Sequence, residues 1–185
     1  MLAAFPPGKL SEIVGPRSSG GSSLLLQLLA CATHGGGHVA LVDATDALDA
    51  ASAIASGVAL SRLLWVRCGG RLAPAVRAAD LLVRCPGFAV VALDLGDVPI
   101  TRDAASPSLG VRLQRAVEGT ATILVLRVPH RLTGSAAAFV VSLHSVEARW
   151  AGTRATRLVG LVSEARVLRS RLGAASDASS IEWRL

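Results

Sequence analysis

Residues 12–24 read EIVGPRSSGGSSL. A short apolar run meets a Gly-Pro break, a loop of Arg, Ser and Gly follows, and a leucine-rich helix begins. A loop that cradles phosphate has the form G-x-x-x-x-G-K-[ST] between a strand and a helix. Its backbone N–H groups and the helix N-terminus hold the anion, its lysine neutralises the outer charge, and its hydroxyl holds magnesium. Gly15, Gly20 and Ser22 fit the pattern, but Gly21 stands where the lysine belongs. A hydrogen bond to a charged group is worth roughly 1.5–3 kcal/mol, so its loss weakens binding about ten- to a hundred-fold. Arg17 lies inside the loop but leaves it from a different place, and Lys9, the only lysine of the chain, precedes the strand.

Outward from the loop, short apolar runs alternate with helical segments. Strands are expected over 11–14, 38–43 (HVALVD), 63–67 (LLWVR), 88–94 (FAVVALD) and 122–128 (TILVLRV). Helices are expected over 22–33, stopped by Gly35-Gly36-Gly37, and over 47–56, ending at Gly57 in a left-handed cap. A third carries Pro74 in its first turn and closes before Pro86-Gly87. A fourth opens with Ser106 as N-cap and Pro107 as first residue. FAVVALD is apolar on both faces, the mark of a parallel strand covered by helices on each side. After Gly134 two strand-like stretches, 139–150 and 158–168, follow with no helical period between them, which predicts an antiparallel extension. The pattern specifies a three-layer α/β domain with a mostly parallel twisted sheet over residues 1–172, and a flexible C-terminal tail over 173–185.

Composition narrows the class. With 51% apolar and 17% charged residues in a chain of 185, disorder is excluded and one domain is sufficient. Three Phe, three Trp and no Tyr leave the core to Ala, Leu and Val. The net charge of +6 is carried by dispersed arginines, which admits either a compositional bias or a surface for nucleic acid or an acidic partner. Cys31, Cys68 and Cys85 lack paired spacing among themselves or with His34, His38, His130 and His144, so no disulfide framework and no metal site is expected, and a reducing cytoplasm is the natural compartment. The apolar run 24–29 is too short to cross a membrane, and MLAAFPPGK lacks the head of a secretion signal.

FAVVALD also resembles the second nucleotide motif, a buried strand whose terminal Asp94 would organise magnesium and water. Taken with GKLSEIVGPRSSGGSSLLL, HVALVDATDALD and LLWVRCGGRLAPAVRAADLLVRCPGFAVVALD, the chain resembles the ATPase core of RecA recombinases from about residue 8 to 172. The resemblance implies a RecA-like core, and it makes the departures legible. Aligned through DATDALD, the glutamate that activates water in recombinases is replaced by Thr45, with Asp46 beside it. The fifth strand, which should end in a residue sensing the γ-phosphate, carries Arg127 and Val128. The two DNA-binding loops correspond to about 97–107 and 129–138; the second is short, with His130 and Arg131 but no aromatic to stack on a base.

Within the RecA-like group, GPRSSGGSS and GVALSRLLWVRC are similar to ImuA, the accessory protein family of bacterial mutagenesis cassettes. Some relatives carry the name of the cell-division inhibitor SulA, which shares the architecture without nucleotide chemistry. The resemblance implies a non-catalytic scaffold in DNA damage tolerance, supporting translesion synthesis and induced mutagenesis through protein contacts. The implied partners are an ImuB-type homologue of Y-family polymerases, an error-prone DNA polymerase or RecA. No catalytic residue and no cofactor is expected. Gly15, Arg17, Gly20, Gly21, Ser22 and Asp94 would form a vestigial nucleotide site with Mg-ATP bound weakly or not at all. Arg102, Arg131 and Trp183 are the candidates for contact with DNA or a partner, whereas Trp65 reads as core and Trp150 as either packing or contact. A weak or partner-assisted ATPase and a paralogue binding single-stranded DNA are the alternatives.

Overall fold

Strands apolar on both faces need a helical layer on each side, and the chain supplies both. The computed structural model describes residues 4–99, 107–152, 157–171 and 179–184. In chain order its elements are β1 (Leu10–Val14), α1 (Gly21–His34), β2 (His38–Asp43), α2 (Ala50–Ala55), β3 (Leu63–Arg67), α3 (Leu72–Arg84), β4 (Phe88–Asp94), α4 (Pro107–Val117), β5 (Ile123–Val128), β6 (Phe139–Ala151), β7 (Arg157–Ser170) and β8 (Ser179–Arg184). They form one sheet in the order β3-β2-β4-β5-β1-β6-β7-β8. The strands from β3 to β6 run parallel, and β7 and β8 add antiparallel pairings at one edge. This is the three-layer α/β core with an antiparallel extension that the sequence predicts.

Alternation along the strands divides the core. Ile13, Leu41, Ala92 and Val125 face α1 and α2, where Leu24, Leu25, Leu28 and Ala53 meet them. Leu10, Val42, Leu93 and Leu126 face the other way, against Val76, Ala79 and Val83 of α3 and Leu113 and Val117 of α4. The leucines of α1 recur at helical spacing, so a single stripe seats the helix on the sheet.

Four expectations need correction. First, α2 starts at Ala50 rather than 47, because the N–H groups of Ala47 and Leu48 are taken by the Asp43 carboxylate at 3.1 and 2.9 Å. Asp49 then caps the helix, accepting from the Ser52 N–H at 2.8 Å. Its far end is as expected: Gly57 at φ +89 donates to Ile54 O while Val58 donates to Ala53 O. Second, β6 is not wholly part of the antiparallel extension, since its first residues pair parallel with β1 before the strand continues against β7. Third, β3 is an edge strand, so Trp65 is half-buried rather than deep in the core; its Nε1 donates to Asp43 and Arg67 lies over its ring. Fourth, residues 179–184 are not a free tail but β8, with Trp183 opposite Leu161. The long strand β7 offers a row of backbone donors and acceptors, which an adjacent extended segment satisfies whatever its composition.

One buried acidic side chain holds a loop to the centre of this sheet. Glu12, in the middle of β1, is fully buried on the α4 side, and its Oε1 accepts from the N–H groups of Leu132 and Thr133 at 3.0 and 2.8 Å. On α4, Gly110 lets the helix approach the same turn: a Cβ there would lie 2.8 Å from Thr133 O. Replacing Glu12 by Leu leaves one buried and one half-buried N–H group unpaired and should cost about 2–4 kcal/mol in urea denaturation, whereas Glu12→Gln, which keeps the acceptor, should retain most of the stability. Equal midpoints for Glu12→Leu and the unaltered chain would show that the carboxylate does not hold the turn.

Candidate functional site: a phosphate loop over an internal ion pair

The parallel register sets the site. Asp43 of β2 pairs with Asp94 of β4, and Asp94 pairs with Arg127 of β5, so three charged side chains stand in one row on the α1 face at the C-terminal edge of the sheet. That edge is where open α/β sheets place their ligands. Above it, residues 15–21 turn from β1 into α1. Gly15 N–H donates to Val128 O at 3.0 Å, and a Cβ at Gly15 would sit 2.6 Å from Leu143 O as well as against the Ser19 hydroxyl, so only glycine passes there. Gly20, at φ +88, is the left-handed N-cap of α1.

Gly21 is the first residue of α1, and the side chain beside it is Arg127. A Cβ at 21 would lie 3.4 Å from Cδ and 3.6 Å from Cγ of the arginine. The Arg127 Nε donates to Asp94 Oδ1 at 2.7 Å, and each side chain is 14% exposed. The same Oδ1 accepts from the Gly96 N–H at 2.9 Å. Burial pushes the Asp94 carboxyl up from its ordinary range, against the opposing pull of the Arg127 guanidinium. Thr45 borders the pair across Gly96, whose Cβ would lie 3.0 Å from Thr45 Oγ1 and 3.4 Å from Arg127 Nη2.

The remaining carboxylates have local work. Asp43 accepts from Ala47, Leu48 and Trp65. Asp46, at φ +57, turns away from Thr45 to accept from the N–H groups of Cys68 and Gly69 and to pair with Arg67. A cleft of about 970 Å³ opens between α1 and α2, with Ser22, Leu25 and Leu26 on one wall, Leu48 and Ser52 on the other, and Asp43 and Asp94 on the floor. Asp49 completes three carboxylates, and no Lys or Arg is among the lining residues.

Of the residues singled out by sequence, Gly15, Gly20, Gly21, Ser22 and Asp94 are brought together. Arg17 is not; it projects into solvent and pairs with Asp97 at 2.9 Å. Lys9 precedes β1, at the opposite end of the strand from the loop, and pairs with Glu118. Arg131 is exposed and donates to Gly134 O at 2.9 Å, and Trp183 belongs to β8, the far edge strand. Arg102 falls outside the described residues. Sequence reasoning placed Arg127 at the sensing position but missed its partner. The available signal was a pair of opposite charges at equivalent places on two neighbouring parallel strands.

A sequence profile of the RecA N-terminal domain matches residues 2–103. The chain belongs to the RecA family. Protein RecA of Borrelia hermsii is 37% identical over 93 residues, 50% of this chain and 26% of the relative. Protein RecA of Methylococcus capsulatus is 44% identical over 90 residues, 49% of this chain and 26% of the relative. The aligned part is thus about a quarter of those RecA proteins. The crystal structure of the RadB recombinase superposes with a TM-score of 0.72 at 17% identity, covering 95% of this chain and 87% of that one, which establishes the recombinase-type fold.

Arg127→Met should destabilise the chain by about 3 kcal/mol at neutral pH, because it leaves Asp94 buried and unpaired. A carboxyl whose folded pKa is raised favours the folded state most below its ordinary range, and that contribution is lost as pH rises through the raised value. Removing the arginine raises the value further, so the penalty should shrink toward pH 4 and be largely relieved by adding Asp94→Asn. Urea midpoints across that range check it; a loss independent of pH would mean that Arg127 contributes only packing.

Proposed function

We propose that this RecA-family chain is a non-catalytic accessory scaffold in DNA damage tolerance, supporting translesion synthesis through protein contacts in the cytoplasm. The observation that carries the reading is the charge of its cleft. Among the described residues its lining holds Asp43, Asp49 and Asp94 and no Lys or Arg, and the Arg127 guanidinium beside it is taken up by Asp94, the inverse of what a triphosphate requires. Glycine at 21 and threonine at 45 remove the two charged groups on which phosphate binding and water activation would depend. Asp94, which would face magnesium, is already paired with Arg127. These residues do not fit Mg-ATP, and no hydrolytic step is assigned to them. The similarity of GPRSSGGSS and GVALSRLLWVRC to ImuA points to an ImuB-type polymerase homologue, an error-prone DNA polymerase or RecA as the partner.

The purified chain should show no ATP turnover above background, and affinity capture from damaged cells should recover a polymerase-like protein or RecA. Turnover that disappears on Ser22→Ala would replace the scaffold with an assisted ATPase. Capture of none of these partners would remove the basis for the damage-tolerance role. Salt-dependent binding to single-stranded DNA that weakens on Arg131→Ala would favour a DNA-binding paralogue instead.

A further inference from the structure

The first residue of α1 and the last long side chain of β5 compete for one place. A Cβ at Gly21 would be in ordinary van der Waals contact with the methylene stem of Arg127, at 3.4 and 3.6 Å. A longer side chain following that direction would need the volume the stem now fills. At the end of the stem the guanidinium is held by Asp94 at 2.7 Å, largely out of water. Of the other cations considered for the loop, Arg17 faces Asp97 in solvent, and Lys9 is at the other end of β1.

We propose that Arg127 is the relocated cation of this phosphate loop, entering from β5 instead of position 21, and that by pairing with Asp94 it takes up the carboxylate on the floor of the cleft, so that neither charge is free for a triphosphate. The inference rests on the reading of the chain as one that does not use triphosphates, and it names the residues that make it so. In a working loop the lysine turns its charge to phosphate oxygens and the strand-end carboxylate turns to magnesium. Here the two opposite charges turn on each other, and the arrangement is complete without a ligand. For a magnesium triphosphate to enter, both buried charges must first lose their partner. Glycine at 21 is then not merely a lost lysine; any long side chain there would run against the arginine stem.

Calorimetric titration of Mg-ATP into the unaltered chain, Gly21→Lys, Arg127→Gln and the double variant tests this. The unaltered chain and Gly21→Lys should show no measurable binding, and the double variant should bind at least about tenfold more tightly than either single variant. A Gly21→Lys protein that binds as well as the double variant overturns the proposal. A folded double variant that remains silent also overturns it, while leaving the non-catalytic reading intact. Micromolar binding by the unaltered chain overturns both. Should Arg127→Gln fail to fold, melting temperatures with Arg127 in place decide the matter: Gly21→Ala should leave the midpoint unchanged and Gly21→Lys should lower it. A lysine at 21 that melts like the unaltered chain would show that the two side chains do not compete.

Discussion

Parallel strands that end together bring their last side chains into one row, and here that row holds Asp43, Asp94 and Arg127 beneath the first turn of α1. A carboxylate in such a place, covered by a helix, is expensive unless an opposite charge meets it. Asp94 finds that charge one strand away at 2.7 Å. The placement of the guanidinium fixes where its stem must run, and the stem runs against Gly21. Gly96 keeps a side chain from crowding the pair where Thr45 approaches it. Residues from three parts of the chain are therefore constrained by one ion pair.

Much of the architecture was legible because its signals are local. FAVVALD could only be a strand buried on both faces, and β4 spans that stretch. Pro74 in the first turn of α3, Pro107 at the start of α4 and the left-handed Gly57 after α2 are punctuation with a steric cause. What was not legible depended on partners distant in sequence. Whether 139–150 runs parallel or antiparallel to its neighbour is set by where the chain crosses β1, which no periodicity records. The composition of 173–185 suggested a tail, yet an open sheet edge recruited residues 179–184; 173–178 and 185 lie outside the described residues. The start of α2 moved because Asp43 reaches forward four and five residues to claim two N–H groups.

The site divides in the same way. Gly15, Gly20, Ser22 and Asp94 were recognisable as types at fixed spacing, and the fold assembles them. Asp46, adjacent to Thr45, points elsewhere, since its left-handed backbone sends the carboxylate to the turn after β3. The Arg127–Asp94 pair left only two opposite charges near strand ends as its signal; that they are partners is a property of register, which appears only when the sheet is assembled. Membership of the RecA family accounts for the loop, the strand order and the buried Asp. It does not decide what a cleft with this charge pattern admits.

Glu12 gives the fold a mechanical connection of a different kind. Its carboxylate ties the turn at Leu132–Thr133 to β1, the strand that leads directly into Gly15, while Gly110 seats α4 against the same turn. Through Glu12 a displacement of the turn would be felt at β1, and α4, which leans on the same turn, would feel it too.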